Sequence, residues 1–407
     1  MINAGYLHPM ENRDFLSRWP GLFLSIVLFV VLVLLAGTVL TGCLPARHDS
    51  RQLDVLFVAY DQGESNAFLQ LEKALQQHQI NYRILAFGRA SEIFKEHPYR
   101  LEALVENQLL LQNDRTRELS SFELEDIIKP IRPGIVYSGM SSVVQAQLLN
   151  AFKSKGSYTI AFYDNFDPVA DKEYVQPFLN RVIPPDEYHI PSIATRSSFD
   201  GQPAFATSVL TVSGTPALEA WDNIYQQTST DIVRQELNID KNQPVVVFAG
   251  GYDTTYETYL RIFVEAVRAM PSILFLVTSH PKTDGSLERK VVKELAAGNV
   301  RVIDKGAHST TVLSKLSVAV VVHKSSIAAQ ALYKKKPVLY VAEPEFNNFL
   351  TRKQLAFVAS SPEQVKSKLL SAIQTDRDSL GLESIGVPDH PSETVAGILQ
   401  RRLQSSK

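Results

Sequence analysis

The stretch from Val318 to Ala342 constrains the fold more than any other part of the chain. Two runs of mostly β-branched and other apolar residues, 318–322 and 337–341, flank a segment of helical length that begins at Ser325 and Ser326. Buried strands separated by a short helix are typical of a βαβ unit in a parallel sheet. Because such sheets bind ligands at the carboxyl ends of their strands, the polar elbow after the first strand is a candidate binding site.

The two serines at this elbow have two interpretations. Ser325 and Ser326 would place hydroxyl groups and free N–H groups where a phosphate can bind. An N-cap on a helix that only packs against the sheet is an equal alternative. The sequence therefore predicts a candidate phosphate site here and leaves both interpretations open.

The same alternation of strand and helix recurs along the chain in two groups. It predicts an α/β protein with two Rossmann-like domains that face a cleft. We expect the first domain at residues 51–221, a linker at 222–243 and the second domain at 244–407, which ends in a helix over 392–403. Strands are expected at 53–60, 82–87, 134–138, 158–163 and 206–212, and again at 245–249, 272–278, 299–303, 318–322 and 337–341.

Composition excludes several classes of protein. With 407 residues, 45% hydrophobic, the chain is long enough for two full cores. A net charge of −2, without a basic tail, gives no indication of nucleic-acid binding. The single cysteine excludes intramolecular disulfides, and no Cys/His spacing predicts a metal site.

The N-terminus contains a long apolar segment. After a leader at residues 1–20, the stretch from 21 to 40 carries no charge and is long enough to cross a bilayer as a helix. Its last residues, Leu40 to Cys43, resemble the lipobox of bacterial lipoprotein signal peptides, and this resemblance implies cleavage before Cys43 and its lipidation. An uncleaved anchor and a buried core helix are the alternatives. We therefore expect a hydrophobic helix or signal at 21–43, the lipid bilayer as a partner and a membrane-associated location, either lipid-anchored in the bacterial envelope or single-pass in the inner membrane.

Acidic side chains follow two strands of the first half. Asp61 and Glu64 come after the strand at 53–60, and Asp164 and Asp167 come after the strand at 158–163. The carboxyl end of a strand is where an α/β enzyme would hold a general base. An ordinary turn is the alternative, since Asp is a common turn residue.

The second half has its own set of polar residues after strands. Histidine and lysine there are candidate phosphate contacts, with a structural histidine and ordinary surface lysines as alternatives. The acidic pair after the last strand is placed to bind sugar hydroxyls. These residues are Gly250, Gly251, His280, Lys282, Lys324, Glu343 and Glu345.

Four stretches, in order, resemble the GT-B family of nucleotide-sugar glycosyltransferases and the related UDP-N-acetylglucosamine 2-epimerases. They are Val212 to Glu219 (VSGTPALE), the Gly250–Gly251 turn, His280–Pro281, and the unit from Ser325 to Val338. The resemblance covers most of the chain after Arg51.

The resemblance implies a glycosyltransferase that uses a nucleotide-sugar donor, UDP-linked in preference to others, without a metal or other cofactor. The diphosphate would lie across Gly250, Gly251, Ser325 and Ser326, and Gln330 would replace the family's ribose-binding Glu. Glu64, Asp61 or Asp164 would act as the base.

One departure from the family pattern favours transferase over epimerase chemistry. The epimerases' His-Arg-Arg-Glu signature is replaced by Gly251, Tyr252, Asp253 and Thr254. The expected function is therefore a membrane-attached glycosyltransferase for an envelope glycan or glycolipid. The alternative is a lipid-tethered extracytoplasmic binding or scaffold protein with a catalytically inactive GT-B-like fold.

Overall fold

Two parallel β-sheets with helices packed against them form the protein in its computed structural model. The structure describes residues 53–96, 114–200, 202–376 and 381–405. The predicted α/β class, with two parallel Rossmann-like sheets, is confirmed. The predicted N-terminal helix or signal at 21–43, including Cys43, lies outside the described residues.

The first sheet contains β1 Leu53–Ala59, β2 Tyr82–Ala86, β3 Pro133–Ser138, β4 Tyr158–Phe162, β5 Glu187–Ile190 and β6 Val209–Val212. The second contains β7 Val245–Ala249, β8 Leu274–Thr278, β9 Val300–Ile303, β10 Ala319–Val322, β11 Val338–Val341 and β12 Phe357–Ala359. The strands of the first sheet are ordered β2-β1-β3-β4-β5-β6, and those of the second β12-β11-β10-β7-β8-β9. Central strands such as β7 are buried along their whole length, which explains their continuous apolar sequence.

Helices follow most of the strands. In the first half they are α1 Gln62–Gln70, α2 Glu72–Gln77, α3 Gly88–Glu96, α4 Ser121–Ile128, α5 Val143–Ser154, α6 Gln176–Leu179 and α7 Ile193–Arg196. The later helices are α8 Asp222–Gln227, α9 Thr230–Glu236, α10 Tyr256–Val267, α11 Ser286–Glu294, α12 Thr310–Leu316, α13 Ile327–Tyr333, α14 Phe349–Arg352, α15 Pro362–Gln374 and α16 Pro391–Ser405.

The last helix, α16, returns to the first sheet. Val395, Ala396 and Leu399 are buried in the same apolar core as residues of β1 to β4. The N-terminus of α16 is held by Glu219, whose Oε2 accepts the N–H of Ser392 at 3.0 Å. Near its other end, Arg402 Nε donates to Oε2 of Glu187 on β5 at 2.9 Å. Although α16 follows the second sheet in the chain, it therefore packs against the first.

The residues that the structure describes belong to one compact unit. The domain boundaries and the linker at 222–243 therefore stay a prediction.

Candidate functional site: a cleft between the two sheets

A cavity of about 420 Å³ lies between loops that follow strands of both sheets. Four of the side chains that line it from the second half are Lys324, Ser325, Ser326 and Gln330. Three that line it from the first half are Asn66, Asp164 and Lys172. The structure thus brings the predicted elbow and one predicted carboxylate to opposite walls of the same cavity.

The elbow between β10 and α13 is a tight turn. Lys324 has a φ of +51°, in the left-handed region that residues other than glycine seldom adopt. Ser325 Oγ accepts the N–H of Ile327 at 3.3 Å, where α13 begins. The hydroxyl of Ser325 therefore helps to start the helix as well as lining the cleft.

Charged side chains surround Lys324. Its ammonium group pairs with Glu343, lies 3.6 Å from Oδ2 of Asp253 and donates to Oγ1 of Thr255 at 3.2 Å. Burial alone would lower the pKa of Lys324, but the two carboxylates have the larger combined effect and raise it. Burial opposes the charge on Glu343 as well, and Lys324 lowers the pKa of that carboxyl.

Asp253 is held from the side of the sheet by His323. The buried imidazole lies with Nε2 at 3.1 Å from both carboxylate oxygens and Nδ1 at 2.7 Å from the carbonyl oxygen of Val341. Asp253 also accepts the N–H and the hydroxyl of Thr255, each at 2.9 Å. Burial alone would raise the pKa of Asp253, but these hydrogen bonds lower it to about 2.

Glu64 is buried in the turn after β1. Its Oε1 accepts the N–H groups of Tyr60 and Asp61 and the amide of Gln145, and its Oε2 accepts the hydroxyl of Ser141. Burial raises the pKa of Glu64 to about 8, although the two N–H groups oppose the shift. Glu64 does not line the cavity, so the structure places it as a support of the turn rather than at the cleft surface.

Asp164, after β4, lines the cavity itself. The hydroxyl of Tyr174 donates to its Oδ1 at 3.0 Å. Burial raises the pKa of Asp164, and the nearby charge of Asp61 adds to the shift. The third predicted carboxylate, Asp61, is the N-cap of α1 and pairs with Arg115.

Two glycines leave room for the carboxylates of the first half. A Cβ atom on Gly63 would overlap Oδ2 of Asp164, and one on Gly139 would overlap Oε2 of Glu64. Gly63 lies in the first turn of α1, after β1, and Gly139 follows β3, so the ends of the neighbouring strands β1, β3 and β4 meet in this packing.

Gly250 and Gly251 do not line the cavity. The N–H of Gly250 donates to the carbonyl of Thr278 at 2.8 Å, and Gly251 packs against the ring of Tyr256. The hydroxyl of Tyr256 donates to the buried carboxylate of Glu288 at 2.9 Å. The N–H of Gly250, which we expected to hold phosphate, is therefore already bonded within the protein.

His280 and Lys282 form a separate cluster on Tyr252. The rings of His280 and Tyr252 lie 4.2 Å apart, and Nζ of Lys282 is 4.6 Å from the centre of the Tyr252 ring. Burial and the charges of Lys282 and Lys305 lower the pKa of His280. The structure does not bring this cluster to the lining of the cleft.

The remaining predicted residues, Gln330, Glu343 and Glu345, lie in different surroundings. Gln330 lines the cleft and donates from Nε2 to the carbonyl of Ala217 at 3.1 Å, so it joins the two halves. Glu343 faces Lys324, whereas Glu345 is exposed. The roles that we predict for all of these residues stay predictions.

Sequence reasoning missed Lys172 as a residue of the site and considered Asp167 only as an alternative to Asp164. Asp167 accepts the N–H of Phe349 at 2.6 Å and the guanidinium of Arg352 at 3.1 Å across the cleft, and it accepts Lys172 Nζ at 2.7 Å. Lys172 lies in the irregular segment between β4 and β5, where no strand end or motif signals a site.

No protein-family model matches the chain, and no curated protein matches it in sequence. Solved structures do match its fold. A putative UDP-N-acetylglucosamine 2-epimerase from Listeria monocytogenes superposes with a TM-score of 0.64 at 11% identity, over 87% of this chain and 97% of the other.

Two similar structures were solved with ligands. The UDP-GlcNAc 2-epimerase from Neisseria meningitidis bound to UDP-GlcNAc has a TM-score of 0.62 at 13% identity, over 86% of this chain and 100% of that one. The epimerase from Methanocaldococcus jannaschii in complex with UDP-GlcNAc and UDP has a TM-score of 0.56 at 10% identity, over 86% and 99%.

These findings correct two predictions. The predicted membrane-attached glycosyltransferase is wrong, because these structural neighbours are nucleotide-sugar epimerases. The predicted membrane-associated location is corrected too, since no helix among the described residues is long and apolar enough to cross a bilayer. The residues that suggested it, 21–43, lie outside that part of the chain. What the comparisons establish is the fold: this chain has an α/β fold with two parallel sheets that matches the fold of the UDP-GlcNAc 2-epimerases.

Proposed function

We propose that this chain binds a UDP-linked sugar in the cleft and transfers a proton on the bound sugar, as 2-epimerisation requires. The observation that carries the proposal is Asp164, a carboxyl with a raised pKa that lines the same cavity as Ser325 and Ser326. The neighbours solved with UDP-GlcNAc and UDP support this class of ligand.

The second-half wall of the cavity, which includes Lys324, Ser325, Ser326 and Gln330, suits the nucleotide part of the ligand. The hydroxyls of Ser325 and Ser326 and the ammonium of Lys324 are donors, and phosphate oxygens are acceptors. Gln330 carries an amide that can both donate to and accept from ribose hydroxyls. This wall would hold the diphosphate while the sugar points towards the first half.

The first-half wall of the cavity, which includes Asn66, Asp164 and Lys172, suits proton transfer. Inversion at C2 of a UDP-linked sugar breaks the C2–H bond on one face, and its electron pair forms a C1=C2 double bond as the C1–O bond to UDP breaks. Return of a proton to the other face of C2 and of UDP to C1 completes an isomerisation without net change in atoms or electrons. A carboxyl with a raised pKa is the stronger base once it is ionised, so it suits removal of the C2 proton. We assign this role to Asp164, while Glu64 fixes the adjoining turn and Asp61 is neutralised by Arg115.

Nucleotide binding is tested by calorimetric titration of the purified chain with UDP, GDP and CMP. We expect saturable binding of UDP that is lost in the double variant Ser325→Ala, Ser326→Ala. The matched control is Ser367→Ala, Ser371→Ala, two exposed serines on α15. Absence of UDP binding in the wild type, or equal binding in both double variants, would refute the predicted site.

Proton transfer is tested by NMR of UDP-GlcNAc in D₂O. We expect exchange of the C2 proton of the sugar with solvent deuterium, slowed about 100-fold or more in Asp164→Asn. A melting curve of the variant checks that it is folded. Tight UDP binding without any exchange would restrict the function to binding.

A further inference from the structure

Lys324 is a cation on the second-half wall, and carboxylates of the protein already contact its ammonium group. Its side chain is 30% exposed and lines the cleft, and its backbone is held in the left-handed region. The ammonium group contacts three oxygen-bearing side chains, those of Glu343, Asp253 and Thr255. A ligand phosphate that approaches Lys324 therefore meets a group whose charge is compensated.

The two carboxylates that contact Lys324, those of Asp253 and Glu343, differ in how firmly their other contacts fix them. Asp253 has fixed partners apart from Lys324: the N–H and hydroxyl of Thr255, and Nε2 of His323. His323 is itself fixed by Val341 and stacks on the ring of Tyr259, 5.5 Å away. Asp253 is thus part of the rigid end of the sheet.

Glu343 depends far more on Lys324. It follows β11 in a loop that continues through the exposed residues Pro344 and Glu345. Its largest favourable interaction is the ion pair with Lys324, supplemented by its own N–H and the Thr255 hydroxyl. Of the two carboxylates, Glu343 is the one that can leave while Asp253 keeps the ammonium group at the elbow.

We propose that Glu343 is an internal competitor for the anion site: it occupies Lys324 in the empty cleft and is displaced when a ligand phosphate binds the same ammonium group. This inference rests on the proposed function, because it concerns the same site. It also assigns Glu343 a role different from the contact to sugar hydroxyls that the sequence suggests.

The size of the effect follows from the exposure of the pair. A partly exposed ion pair changes an equilibrium by up to about fivefold. Competition by Glu343 therefore weakens anion binding by a small factor, which a diphosphate with its larger charge overcomes. The pair is also accessible to salt, so the competition should fade as ionic strength rises.

The experiment is a titration of the full-length wild type, Glu343→Gln and Glu257→Gln with UDP and, separately, with inorganic pyrophosphate. Glu257 is the control because it also forms a partly exposed ion pair in the second half, with Arg261, and does not line the cleft. We expect Glu343→Gln to bind about two- to fivefold tighter at low salt, and Glu257→Gln to bind like the wild type. In a Lys324→Met background, Glu343→Gln should have no effect.

The outcomes separate this inference from the proposed function. If the wild type binds UDP and Glu343→Gln binds equally or more weakly, the competitor role is refuted and the UDP site stands. If Glu343→Gln binds UDP or pyrophosphate and the wild type does not, Glu343 blocks the anion site completely and the competitor role is supported. If neither binds UDP or pyrophosphate, the proposed function fails and the inference fails with it.

Discussion

The two sides of the cleft occupy equivalent places in two similar sheets, yet two carboxyls on one side and two on the other have pKa shifts of opposite direction. On the first-half side, Asp164 lines the cleft and Glu64 is buried in a turn behind its surface; they are hydrogen-bonded by N–H groups, an amide and hydroxyls, and burial raises their pKa values. On the second-half side, Asp253 accepts hydrogen bonds from Thr255 and contacts His323, Glu343 pairs with Lys324, and the pKa values of both carboxyls are lowered. The difference teaches that the donors and cations in contact with a carboxyl, rather than its position in the fold, decide whether a carboxyl near a strand end can hold a proton.

Glu187 offers the sharpest test of that rule, because it is fully buried but has a cation. Burial would raise its pKa, but hydrogen bonds from His189, Thr211 and Arg402 lower it to about 2. Arg402→Ala should leave the carboxylate buried without this cation and cost about 3 kcal/mol of unfolding free energy at pH 7, the low end for a buried pair because the Arg402 side chain is 36% exposed. Urea denaturation measures this loss.

The control for this variant is Arg401→Ala, the exposed neighbour on α16, which should change stability by less than about 0.5 kcal/mol. If the two variants are equally stable, burying this carboxylate without a cation costs little free energy. The opposite pKa shifts on the two sides of the cleft would then have no explanation.

Glu64→Gln tests the first-half wall through pH. The pKa of Glu64 is raised from 4.5 to about 8, so the folded state holds this proton more tightly than the unfolded chain. Its contribution is therefore fully present below pH 4.5 and is lost as pH rises towards 8. We expect the wild type to lose on the order of 1 kcal/mol per pH unit in this window, and Glu64→Gln to lack that slope.

Urea denaturation at pH 5, 6, 7 and 8 measures both profiles. The glutamine can keep the acceptor for Tyr60, Asp61 and Gln145 and donate to Ser141, so its geometry is matched. Glu92→Gln, on the exposed side of α3, is the control. An unchanged slope in Glu64→Gln would show that Glu64 is ionised throughout and that the walls are alike.

Asp253→Asn tests the second-half wall and has the smallest expected effect. The pKa of Asp253 is lowered from 3.8 to about 2, so its contribution is present above pH 3.8 and is lost as pH falls towards 2. Because the side chain is partly exposed, we expect a loss below about 1 kcal/mol at pH 5 that vanishes near pH 2. Thermal melts against pH compare it with Asp240→Asn, an exposed control.

Sequence patterns predicted much of the fold because the central strands are buried on both faces. Val245–Ala249 and the unit around β10 and β11 carry continuous apolar runs, which few other structures explain. The strand β5 escaped prediction because Glu187 and His189 interrupt its apolar pattern, and only distant partners such as Arg402 and Tyr137 compensate them.

The site was predictable only in part, for a similar reason. Ser325, Ser326 and Asp164 were found because strand ends mark them in the sequence. The pairing of Lys324 with Glu343, and the use of the Gly250 N–H by Thr278, depend on contacts between separate strands. A local pattern carries no information on which donors are already bonded.

The close fit of Gly63 to Asp164 and of Gly139 to Glu64 has a consequence for the history of this chain. Any side chain at either glycine displaces a carboxylate, and any lineage that loses the carboxylate frees the glycine to vary. The four positions should therefore change together among descendants of a common ancestor. Sequences that keep both glycine–carboxylate pairs would share this first-half wall, however far the rest of the chain has diverged.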